Sequence, residues 1–179
     1  MALADTTHHS PYAGQETRAV ASLSNGDIEE LTRGGGWGLA KSAELNGLPG
    51  PAHLLEMKAE IGLTAEQERE IVVIRDGMRA EAKALGTELI ALERALDDGF
   101  RGEGYTPDAL RAAVDRIAEV RGALRYAHLS AHLRTPAILT AGQVERYNAL
   151  RGYASGSDPC TNVPKGHNAT MWRKHNGCD

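Results

Sequence analysis

An all-α protein, built as a long antiparallel helical hairpin with short flanking helices, is what this sequence predicts from three observations. First, Ile71, Ile74, Met78, Ala82, Leu85, Leu89, Leu92 and Leu96 recur at spacings of three and four, so one amphipathic helix runs from Leu63 to Leu96. Second, Leu110, Val114, Ile117, Val120 and Leu124 give a return helix that starts at Thr106-Pro107 and stops at Thr135-Pro136, with residues 99–105 closing the hairpin. Third, 41% of the residues are hydrophobic but only 4% aromatic. Such a core is made of Leu, Ile, Val and Ala, which favours helices and leaves almost no strand.

From the N-terminus, residues 1–23 read as a flexible arm mixing Pro, Gly and polar residues. His8 and His9 within it lack fixed geometry and make at most an adventitious metal site. Met1-Ala-Leu-Ala-Asp5 matches the small-residue pattern at which secretory signals are cut. The expectation is therefore a mature exported protein with its signal peptide removed and a start methionine added, the alternative being a cytosolic protein that begins this way. Residues 24–153 form the helical domain. Ser24 or Asn25 caps a short helix through Ile28 and Leu31 that ends at Gly34-Gly35-Gly36, and a second runs from Trp37 to Leu45 before Asn46-Gly47 and Pro49-Gly50-Pro51. A helix of about three turns follows Pro51 and leads through Gly62 into the long helix. Residues 154–179 are a Cys/His/Met tail.

Thr64 and Gln67 form a reciprocal capping box at the entrance of the long helix, in the sequence Leu63-Thr-Ala-Glu-Gln67. The same Leu-Thr-x-x-Gln pattern returns at Leu139-Thr-Ala-Gly-Gln143 and opens a last helix through Ala149 and Leu150. Two such boxes flanking a long helical hairpin resemble the Spy/CpxP family of small envelope proteins of Gram-negative bacteria, over about residues 51–153. That resemblance implies a periplasmic, dimeric bundle and a choice among three roles: ATP-independent chaperone, envelope-stress regulator, or heavy-metal sensor and resistance protein.

The chemistry-bearing residues come in pairs. His53 and Met57 are four apart on one helix, as are His128 and His132 on the return helix. In an antiparallel hairpin the two pairs lie near one another, and imidazole with thioether suits nickel, cobalt, zinc or copper, Met favouring the softer ions. The placement is similar to that of the nickel- and cobalt-sensing relatives, with the His/Met pair early and the His/His pair late, the reverse of their order. The carboxylate those sensors add has no match here, where Ile74 falls between Glu70 and Asp76. The alternative is structural: His128 hydrogen-bonds across the hairpin and Met57 fills the core.

In the tail, His167, Met171 and His175 recur every fourth residue and Cys178 follows, a second candidate metal set that Cys160 can join. The favoured alternative is a Cys160–Cys178 disulfide, since an exported pair oxidises unless metal holds it reduced.

Other classes find little support. The net charge of −4 gives no basic footprint for nucleic acid, and no apolar run approaches the length of a membrane span. Gly35 to Ser42 nearly spells a phosphate-binding loop, but Ala40 replaces its second glycine and a helix precedes it. With no nucleophile elbow, H-E-x-x-H or C-x-x-C, no catalytic constellation is predicted and the chain reads as a non-enzyme. The expected function is a periplasmic transition-metal sensor or resistance protein. Its alternatives are a chaperone binding unfolded clients and a regulator of a membrane sensor. A homodimer is expected in each case, because two helices cannot hide the apolar surface they carry.

Overall fold

Leu-rich stripes and paired caps give a mostly helical chain. The computed structural model describes residues 10–102, 104–153, 160, 169–170, 173 and 178. Its helices are α1 (Asn25–Arg33), α2 (Lys41–Glu44), α3 (Pro51–Glu56), α4 (Lys58–Ile61), α5 (Ala65–Arg101), α6 (Pro107–Arg134) and α7 (Ala141–Leu150), with a 3-10 turn at Thr135–Ile138. Among the described residues no strand forms, and an isolated bridge between Val20 and Leu23 is the β pairing present. No helix among them is long and apolar enough to cross a membrane.

The expected single domain is divided into two compact units, each discontinuous in sequence. The first takes residues 1–40 and 76–130, the second residues 41–75 and 131–179, so α5 and α6 each contribute to both. At 1.5 Å per residue the 37 residues of α5 extend about 55 Å, more than one small core can cover.

In the first unit, Ala82 and Leu89 of α5 and Val120 and Leu124 of α6 form a core with Leu31, Leu39, Val20 and Leu23. α1 is capped as its sequence predicts: Ser24 and Asp27 exchange reciprocal hydrogen bonds at the start, and Gly34 takes the left-handed conformation (φ 69°) at the end. α1 presses close to α5. A Cβ on Gly86 would stand 2.5 Å from the Leu31 carbonyl oxygen, so only glycine fits there.

Three expectations for this unit need correction. The arm is not loose to residue 23: Val20 and Leu23 are buried, the Ala21 N–H donates to the Asp97 carboxylate, and the Ser22 hydroxyl donates to Glu93 at 2.7 Å. Two buried apolar side chains and two anchored polar groups outweigh the Pro/Gly composition upstream. Trp37 does not open a helix. It lies at φ 43°, its indole donates to Asp27 Oδ1 at 2.7 Å, and the Arg121 guanidinium sits over its ring, so side-chain anchoring holds the backbone in a turn and α2 starts only at Lys41. Val114 is exposed rather than turned toward a partner helix.

The second unit has a smaller apolar cluster: Leu54, Ile61, Ile71 and Tyr147, flanked by Leu55, Met57, Leu63, Ile138 and Leu139. Here the expected three-turn helix after Pro51 is interrupted. Met57 (φ −107°, ψ 23°) ends α3 and begins α4. Gly62 closes α4 in the left-handed conformation (φ 73°) and delivers the chain to the α5 cap.

Candidate functional site

The two Leu-Thr-x-x-Gln motifs meet in the second unit. Each forms its own capping box: the Thr64 N–H donates to Gln67 Oε1 at 3.0 Å and the Thr140 N–H to Gln143 Oε1 at 3.0 Å, while each glutamine N–H donates back to the threonine hydroxyl. The two amides then bond to each other. Gln67 Nε2 donates to Gln143 Oε1 at 2.8 Å and Gln143 Nε2 to Gln67 Oε1 at 2.9 Å. The remaining amide hydrogens go to Ile138 O (2.9 Å) and Gly62 O (3.0 Å), each two residues before the other motif's threonine. Every donor and acceptor of both side chains is used, so the repeated motif is one approximately two-fold unit that ties the start of α5 to the start of α7.

One face of α7 continues inward from this pair. Gln143, Tyr147 and Arg151 are spaced by four. Tyr147 is fully buried, and its hydroxyl donates to Glu44 Oε1 at 3.0 Å while accepting from the Gly50 N–H at 3.3 Å. Arg151 Nη2 donates to Glu44 Oε2 at 3.2 Å, and Tyr153 donates to the same oxygen at 2.9 Å. His53 Nδ1 lies 3.0 Å from Glu44 Oε1. Glu44, 9% exposed, is thus the polar centre of this unit. Burial alone would raise its pKa, but hydrogen bonds from His53 and Tyr153 and the charge of Arg151 outweigh it and hold the carboxyl down at about 2. The same surroundings act on the partners: burial pushes the Tyr147 phenol up, and the adjacent Glu44 carboxylate pushes it further.

The histidines of this unit share a feature. His132 Nδ1 is 2.9 Å from the Leu48 carbonyl oxygen, and a carbonyl only accepts, so this nitrogen carries the proton. His53 Nδ1 faces an ionised carboxylate, which also only accepts. In the neutral form both rings therefore keep their lone pair on Nε2. The His132 ring is packed against Gly50, where a Cβ would stand 2.6 Å from Cε1 and 2.8 Å from Nε2, and Thr135 hydrogen-bonds the Pro49 carbonyl beside it. His132 and Thr135 together fix the 48–50 turn that aims His53 and Glu44 at each other. The His53 side chain is 36% exposed, whereas His132 is buried.

The four bundle residues read from the sequence are placed differently from one another. His53 and His132 both enter the polar surroundings of Glu44 and the 48–50 turn. Met57 does not join them. Although its N–H still bonds the His53 carbonyl at 3.1 Å, the break in the helix sends its side chain into the apolar cluster of Leu54 and Ile71. His128 is buried within the first unit. Among the described residues no three His, Cys, Asp or Glu side chains gather into a metal-holding set. In the tail, His167, Met171 and His175 lie outside the described residues. Cys160 and Cys178 are joined in a disulfide, with Cα atoms 5.3 Å apart, so the pair has the disulfide of the two states weighed above, and in it Cys178 offers no thiolate to a metal.

Glu44, Tyr147, Arg151 and Tyr153 escaped the sequence reading. Glu44 sits in a short polar helix whose pattern carries no sign of burial. The Gln143–Tyr147–Arg151 spacing of four was the available signal, a polar and aromatic stripe along one face of the last helix. No family model, no curated protein and no solved structure matches the chain.

Proposed function

We propose that the chain is a periplasmic transition-metal sensor or resistance protein of the Spy/CpxP type, binding nickel, cobalt, zinc or copper at a site that includes His53. The observation that carries this reading is the Glu44–His53 contact. A half-exposed imidazole held through Nδ1 by a buried carboxylate is the arrangement in which metal-ligating histidines are commonly oriented, with Nε2 facing the ion. His53, oriented by Glu44, supplies one ligand of such a site. Met57 does not, and the ligand set is reduced accordingly from the four residues first expected.

Calorimetric titration with Ni(II), Co(II), Zn(II), Cu(II) and, anaerobically, Cu(I) tests the reading. Stoichiometric binding with Kd below about 10 μM, lost in His53→Ala, is expected. Retention in His53→Ala with loss in His128→Ala/His132→Ala, or only on truncation after Tyr153, moves the site elsewhere. No binding by the intact chain overturns it.

A second reading, an ATP-independent chaperone or envelope-stress regulator, is favoured by the exposure of large apolar side chains. Val73 and Leu133 in the second unit, and Phe100 and Tyr126 in the first, each show more than half of their surface. Such side chains suit an unfolded client, a membrane sensor protein or a second copy of the chain in a dimer of hairpins. Suppression of client aggregation without metal supports it, and light scattering at tens of micromolar reads the dimer.

A further inference from the structure

We propose that Asn25 is a self-modification site, at which the chain converts its own asparagine to aspartate and isoaspartate, while the fold protects the identical Asn-Gly sequence at Asn46. The dipeptide occurs at Asn25-Gly26 and at Asn46-Gly47, and a further copy, Asn176-Gly177, lies outside the described residues. Glycine after asparagine leaves the next backbone nitrogen unshielded by a Cβ. That nitrogen attacks the asparagine Cγ: the N–Cγ bond forms, the Cγ–Nδ2 bond breaks, and the proton of the attacking N–H leaves with the side-chain nitrogen as ammonia. A cyclic imide remains. One water then opens the ring. Opening at Cγ gives aspartate on the original main chain, and opening at the main-chain carbonyl gives isoaspartate, whose backbone runs through Cβ and Cγ. Water is the only reactant consumed.

The two sites differ in what holds the reacting atoms. At Asn46 both are tied. Its Nδ2 donates to the Ser42 carbonyl oxygen at 2.7 Å, and the Gly47 N–H, the attacking group, donates to the Glu44 carbonyl oxygen at 3.0 Å. The Gly47 carbonyl oxygen in turn accepts from Asn148 Nδ2 at 3.3 Å, and Gly47 takes the left-handed conformation (φ 78°), so the turn is held on both sides of the bond. Asn25 has none of this. It is the first residue of α1, where the leading N–H groups have no helical acceptor, and among the described residues neither its side chain nor the Gly26 N–H makes a hydrogen bond. Both residues are exposed, and a Cβ on Gly26 would meet nothing nearer than Ser24 Oγ at 3.8 Å. Fraying of the first helical turn lets the Gly26 nitrogen reach Cγ, whereas Asn46 must first give up its own hydrogen bond and that of Gly47. The products act differently on the fold. The extra main-chain carbon of isoaspartate falls inside the Ser24–Asp27 capping box and opens it, and Asp27 is also the residue that holds the Trp37 indole. Aspartate at position 25 leaves the main chain and the box as they are.

Peptide mapping by mass spectrometry on the intact chain, kept folded at mildly alkaline pH and sampled over time, reads conversion at positions 25 and 46, and electron-transfer fragmentation tells aspartate from isoaspartate. The same chain unfolded in urea is the reference, where both sites react at similar rates. Expected in the folded chain is conversion at Asn25 faster than at Asn46 by about 10-fold or more, with isoaspartate among the products. Hydrogen exchange on the isoaspartate form should show lost protection at Asp27 and Ile28, and on Asn25→Asp should show none. The proposal is overturned if Asn46 keeps pace with Asn25 in the folded chain, or if neither reacts in the time the unfolded chain needs to convert both. Protection at Asp27 and Ile28 that survives isoaspartate formation overturns the effect on α1.

Discussion

The two units of this chain are stabilised by different means. Among the described residues the main apolar cluster of the first gathers eight buried residues, and polar contacts such as Ser22 with Glu93 and Trp37 with Asp27 lie around it. The main cluster of the second gathers four, one of them a tyrosine whose hydroxyl is itself bonded to a buried carboxylate, and this unit adds the Gln67–Gln143 amide pair, His132, Thr135 and Arg151. Apolar burial is non-directional and tolerates many arrangements, whereas a network of directional hydrogen bonds accepts few. The comparison teaches that the unit with the thinner core is the one whose geometry is most tightly specified, and it is also the one with an oriented, partly exposed histidine.

If that contrast is right, substitutions should act by different mechanisms in the two units. Glu44→Ala should be the most damaging, at about 4 kcal/mol, because it leaves Arg151 and Tyr147 without their acceptor inside the protein. Leu89→Ala, in the core of the first unit, should cost about 3 kcal/mol by cavity formation. Hydrogen exchange should locate the first loss in α7 and the second in α5 and α1. Equal loss of protection everywhere in both variants would show the units to be one cooperative body and undo the comparison.

The pH dependence should weigh most on the second unit, though in the first Asp27 is also held below the ordinary carboxylate range by hydrogen bonds from Ser24 and Trp37. Glu44 has a pKa of about 2 in the folded protein against 4.5 in its absence. A depressed folded pKa means its contribution is fully present above pH 4.5 and is lost as pH falls toward 2, an effect of about 3 kcal/mol. Urea denaturation between pH 7 and 2 should show this slope in the wild type and not in Glu44→Gln. A wild type that is no less stable at pH 3 than at pH 6 would contradict it.

Smaller effects test the amide pair. A double-mutant cycle on Gln67→Ala and Gln143→Ala should give a coupling of about 1–2 kcal/mol, since each variant strands the other's amide. Additivity would mean that each motif acts as a separate cap. Thr140→Ala should cost least, about 1 kcal/mol, by removing one cap hydrogen bond, as measured by the midpoint of thermal unfolding.

The sequence by itself determined the local structure. The threes and fours of Ile71, Ile74, Ala82 and Leu89, the boxes at Thr64 and Thr140, Pro107 at the first turn of α6 and the left-handed glycines at 34 and 62 act within a few residues of one another, so periodicity and capping suffice to read them. The soft spots in that reading were places where a distant partner overrode local preference: Val20 and Leu23 buried out of a Pro/Gly-rich arm, Trp37 held out of helix by Asp27 and Arg121, and Met57 turned from His53 into the apolar cluster. Only the tertiary structure decided that the two capping boxes are one unit, that Glu44 is buried, and that His53 and His132 are both held through Nδ1. Those facts depend on hydrogen bonds between residues as far apart as Glu44 and Tyr153, and a carboxylate that looks solvent-facing in the sequence becomes the centre of a site only when the fold supplies its donors.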